Sequence, residues 1–233
     1  MLLAVLTLCL GAGWTACPAT AESGSPGGPN PVLVIGGFDA DVTKLDTLRA
    51  WLDSRGYTAY SMVLPGDPTA TAPIAESARA VADKVAEIRR TTGSARVDLV
   101  GHSMGGLAQR HFVKFLNGRD LVGTYVDFGT PEQGELLGAL CSTYPGCRDM
   151  SPGSPFLTAL NADPAVPPGL PAYHLFSESA GAEKLPLSGA INASIQSFCP
   201  GREVSHGNEP VDAVLQQLVD AALRGTPLTA TCP

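Results

Sequence analysis

A chain of 233 residues has room for one domain with a substantial core and too little length for two. Its net charge of -7 is not gathered into runs, which reads as a solvated surface and disfavours nucleic-acid binding. No cysteine spacing matches a zinc site.

The first 16 residues form an uncharged apolar run, and Ala19-Thr20-Ala21 follows. This pattern predicts a secretory signal peptide over 1–21, too short for a good membrane span. No lysine or arginine precedes the run, which leaves room for a start further upstream. Lipid anchoring at Cys17 is the lesser alternative, because Trp14-Thr15-Ala16 makes a poor lipoprotein site. Residues 22–30 are rich in Gly, Ser and Pro and predict a flexible N-terminal segment, with a single domain over 31–233.

Val32-Leu33-Val34-Ile35 predicts a strand buried on both faces of a parallel sheet, leading into Gly36-Gly37-Phe38. A helix is expected over 42–55 with Gly56 as its stop, a strand over 57–63, and an amphipathic helix over 73–90 that ends at Gly93. A strand at 97–100 runs into Gly101-His102-Ser103-Met104-Gly105, followed by a helix over 107–116. A strand is expected over 122–128. Residues 132–171 read as a long, irregular, proline-rich connection, the natural mouth of a cleft. Strands at 172–177 and near 195–198 and a helix over 210–223 complete the pattern. Strands alternating with helices predict an α/β fold, a mostly parallel sheet covered on both faces, with reactive loops at the carboxyl ends of the strands.

In Gly101-His102-Ser103-Met104-Gly105, a serine sits on a sharp strand-to-helix turn, with glycines where neighbouring backbone comes too close for a Cβ. Such a serine is a nucleophile only beside a base. Of the four histidines, His102, His111 and His174 fall where packing or a local hydrogen bond explains them. His206 lies in a loop before the last helix and is the candidate base. The oxyanion donors expected are the backbone N–H groups of Phe38 and Met104. For the acid that orients the imidazole, Glu178 is placed first because it leaves the strand directly, with Glu183 and Asp127 as alternatives. Four cysteines remain after the leader. Three pairings exist, and Cys141–Cys147 with Cys199–Cys232 is favoured, the first across a Pro-Gly turn and the second tying down the tail.

These segments, with Phe128-Gly129-Thr130-Pro131 and Gly189-Ala190-Ile191-Asn192, make residues 31–225 resemble the small secreted bacterial lipases and esterases of the α/β-hydrolase superfamily. The resemblance implies a compact α/β-hydrolase fold with little or no cap, hydrolysing carboxylic esters through Ser103 and His206 with no cofactor and no metal. It also implies a monomer acting on a small-molecule or lipid ester, in transient contact with a lipid interface. Two departures stand out: Gly36 occupies a position where the family usually has histidine, and the family's aspartate would fall near Ala180 or Gly181, where this chain has no acid. The expected function is a secreted serine ester hydrolase. The alternatives are a related thioesterase or polyesterase, or a binding protein that kept the fold after losing the acid.

Overall fold

The computed structural model describes residues 28–136 and 141–233. The expected signal peptide, Cys17 and residues 22–27 of the expected flexible segment lie outside them. Among the described residues no helix is long and apolar enough to cross a membrane.

Six parallel strands form one sheet in the order β2-β1-β3-β4-β5-β6. They are β1 (Val32–Ile35), β2 (Ala59–Met62), β3 (Val97–His102), β4 (Val122–Phe128), β5 (Ala172–Phe176) and β6 (Ile191–Ser194). Because side chains alternate along a strand, the sheet supplies two cores. Leu33, Ile35, Leu99 and Tyr125 pack with α2 (Ile74–Thr92), α3 (Met104–Phe115) and the short α5 (Pro155–Asn161). Val34, Val100, Val126 and Leu175 pack on the other face with α1 (Val42–Ser54) and α6 (Ala213–Leu223). The expected α/β architecture, with helices on both faces, is the one observed.

Local chemistry sets the helix ends. Asp41 caps α1 by accepting from the N–H groups of Thr43 and Lys44, and Gly93 ends α2 in the left-handed region at φ +72°.

Three expected boundaries are corrected. The last helix begins at Ala213 rather than 210, because Asp212 caps the N–H groups of Val214 and Leu215 while residues 206–211 form a 3-10 turn. The last strand lies at Ile191–Ser194, not near 195–198: Ser194 accepts from Ser197 N–H and turns the chain into a 3-10 turn. The connection over 132–171 holds two short helices, α4 (Pro145–Asp149) and α5, each started by a proline at its first position. Both favoured disulfides are formed, Cys141–Cys147 and Cys199–Cys232, with Cα–Cα distances of 5.7 and 5.6 Å.

Candidate active site

Ser103 sits between β3 and α3 at φ 56° and ψ -129°, a conformation that is strained for a residue with a Cβ. The strain is held from several sides. Ser103 N–H donates to Phe128 O at 3.0 Å, while Ser103 O accepts from Gly106 N–H at 3.0 Å and from Thr130 Oγ1 at 3.1 Å. The flanking glycines are obligatory. A Cβ on Gly101 would lie 2.7 Å from Gly106 N, and one on Gly105 would run into the carbonyl of Ile35 on β1. At Gly36 the space is already filled by Leu45 and Ala40, so the histidine usual in the family has no room without repacking.

The loop after β1 closes over the same turn. A Cβ on Gly37 would lie 2.7 Å from Ser103 Cβ and 2.9 Å from Met104 N, so the backbone of this loop packs directly against the serine turn and the start of α3. The first N–H groups of a helix have no intrahelical partner, and the helix dipole adds positive potential there. Phe38 lines the cavities beside Ser103.

His206 opens the 3-10 turn 206–211. His206 and Ser103 line two cavities in common. The larger, about 640 Å³, is predominantly apolar and includes Phe38, Pro131, Met150 and Ala182. The smaller, about 150 Å³, includes Asp39, Lys44 and Pro210. Lys44 Nζ pins the loop by donating to Gly207 O and Asn208 Oδ1, each at 2.8 Å.

The carboxylate against His206 is Glu183, whose Oε2 lies 2.8 Å from Nδ1. Glu178, expected first, is not there: it is exposed, and its Oε1 accepts from Ser194 Oγ at 2.6 Å. Leaving the strand directly is what disqualifies it. Ser177 turns inward to donate from Oγ to Val204 O, so the next side chain faces outward. Glu183 reaches the imidazole from a 3-10 turn over Ala182–Lys184, with its other oxygen accepting from Ser177 N–H at 3.2 Å. Burial and the neighbouring Glu209 raise its carboxyl to about 7, although His206 pulls the other way. Burial alone would lower His206, but Glu183 and Glu209 outweigh it and lift the imidazole to about 10.

Asp127, the third candidate acid, is fully buried in β4 and ion-pairs with His174 Nδ1 instead. His174 Nε2 then donates to the backbone carbonyl of Glu183 at 2.8 Å, anchoring the acid's turn. Both partners of this ring are acceptors, so it carries both protons. Burial opposes that charge, yet Asp127 raises His174 to about 9. Behind Asp127, Glu132 is paired with Arg110, itself tied to Asn161 Oδ1 at 2.7 Å. His102 stacks against Phe128 and sets its Nε2 3.2 Å from His206 O. Burial and the charge of His206 hold it near 3, hence neutral, with Nε2–H donating. His111 packs its ring on Phe156 at 5.4 Å.

With this geometry in hand, residues 29–182 match the family model described as lipase (class 2). The chain belongs to the class 2 lipase family. Within it, Ser103 lies inside the matched segment, whereas Glu183 and His206 follow it. Among solved structures, the chain is similar to Aspergillus fumigatus lipase B, at 16% identity and a TM-score of 0.68 over 93% of this chain. It spans 56% of that lipase's length. The mature form of Bacillus licheniformis lipase BlEst2 superposes with a TM-score of 0.58 at 17% identity, covering 74% of this chain and 86% of that one. The lin2722 gene product of Listeria innocua gives 0.57 at 13% identity, covering 85% and 95%. At such identities the likeness establishes the fold alone. Of the site residues, Glu209 escaped the sequence reading; the spacing His206-x-x-Glu209 was its only signal.

Proposed function

We propose that this class 2 lipase is a secreted serine hydrolase of carboxylic acyl esters, working through an acyl-enzyme. Ser103 Oγ attacks the ester carbonyl, and His206 Nε2 takes its proton and returns it to the leaving alcohol. Glu183 holds the Nδ1–H tautomer, and the N–H groups of Phe38 and Met104 receive the oxyanion. The observation that carries this reading is the convergence on one rim of Ser103 and His206, with Glu183 Oε2 2.8 Å from Nδ1. A carboxylate at that distance can orient the imidazole, which favours hydrolysis over the reading as a binding protein that lost its acid. The apolar 640 Å³ cavity suits an acyl chain, and the two disulfides, with the apolar leader, suit an oxidising compartment outside the cell.

A fluorophosphonate probe tests the reading. The parent protein takes one label, mapped to Ser103, and hydrolyses p-nitrophenyl esters, while Ser103→Ala does neither. A folded parent that is neither labelled nor active above Ser103→Ala would overturn it.

A further inference from the structure

Glu209 is a fully buried carboxylate, and neither of its oxygens makes a hydrogen bond with protein. Such a group is costly unless a positive charge faces it. Its Oε2 lies 3.3 Å from His206 Nδ1 and 3.4 Å from His102 Nε2. The position follows from the local fold: side chains three apart in a 3-10 turn eclipse one another, and residues 206–211 form such a turn, so Glu209 stacks beside His206. The backbone of Gly129 closes the far side, where a Cβ would collide with the Glu209 carboxylate.

We propose that Glu209 is a second positioning carboxylate for His206, facing Nδ1 beside Glu183 and able to take up its N–H when Glu183 is lost. This rests on the hydrolase reading above. No bond beyond those of the acyl transfer is made or broken: the serine proton moves to Nε2 and back, while Nδ1–H stays in place against Glu183 with Glu209 beside it. The two carboxylates come from separate segments, the turn after β5 and the turn before α6, so neither depends on the other for its placement. Among the described residues, the charged and titratable groups around the imidazole are Glu183, Glu209, His102 from β3 and Lys44 from α1 through the loop carbonyl of Gly207, with Asp39, Asp41 and Glu135 lining the cavities it shares with Ser103.

The test compares Glu183→Gln, Glu209→Gln and the double variant by kcat, KM and pH profile on a soluble ester, with thermal unfolding as the check on folding. Each single change lowers the alkaline-plateau kcat about 10-fold at unchanged KM. The double change lowers it about 10⁴-fold, the loss expected when an imidazole has no orienting acid. The acid limb of kcat/KM lies above pH 6.5 in the parent and moves down in each single variant, because each removes a negative charge that favours the imidazolium. If Glu183→Gln alone is as impaired as the double variant, or Glu209→Gln leaves both plateau and limb unchanged, the proposal is overturned. Glu183→Gln decides the matter even where Glu209→Gln fails to fold, since a loss near 10⁴-fold there leaves Glu209 no part. Labelling of the parent at Ser103 separates this failure from failure of the hydrolase reading.

Discussion

Replacing Gly37 by alanine probes how the loop after β1 is seated on the serine turn. The added Cβ would lie 2.7 Å from Ser103 Cβ, 2.9 Å from Met104 N and 3.0 Å from His102 O, three points of one rigid turn. Carbon atoms rest at about 3.5 Å or more, so the loop must retreat by about 0.8 Å. None of the three contacts is the mobile end of a side chain, and the turn cannot retreat in its place because β3 and α3 hold it. Two effects follow with different sizes. Overpacking costs about 1–3 kcal/mol of stability, which for a domain of this length is a fall of roughly 2–12 °C in Tm. The Phe38 N–H is carried away from the oxyanion, and loss of one such donor costs about 10²-fold in kcat, or about 2.7 kcal/mol. Initial rates on a soluble p-nitrophenyl ester, measured at least 15 °C below the variant's Tm, give kcat and KM separately. The expected result is a kcat about 100-fold lower with KM changed less than threefold. A kcat within threefold of the parent would refute the idea that this loop supplies an oxyanion donor.

Further expectations concern stability. His174, raised to about 9 by Asp127 against the opposing effect of burial, stabilises the folded state fully below pH 6.5, and this is lost as pH rises through 9. Urea unfolding of the parent and of His174→Gln across that range will show their difference shrinking by about 3 kcal/mol; a constant difference would show that the ring is not charged. The Cys199–Cys232 bond closes a loop with a sequence separation of 33, worth about 4 kcal/mol by chain entropy, whereas Cys141–Cys147 spans 6 and is worth about 2. Cys232→Ser therefore lowers the urea midpoint more than Cys141→Ser does, and the reverse order would contradict the entropic account.

The sequence by itself determined the strand-turn-helix at Ser103, the sheet-and-helix alternation and the choice of His206 as the candidate base, because each rests on local rules. Glycine must stand where backbones approach closely, apolar runs of four mark buried strands, and a nucleophile needs an imidazole that packing leaves available. Helix starts such as Ala213 were legible only to within a few residues, since the capping carboxylate of Asp212 competes with a periodic pattern that begins earlier. Which acid meets His206 was decided by tertiary structure. Glu178, Glu183 and Asp127 all fall near strand ends, and no pattern along the chain says whether a side chain turns inward, outward or toward His174. Glu183 reaches the site because His174, far from it in role though near it in sequence, holds its carbonyl, and Glu209 because a 3-10 turn rather than an α-helix begins at His206. Orientation of a carboxylate is set by what surrounds it on every side, and only the folded chain supplies those surroundings.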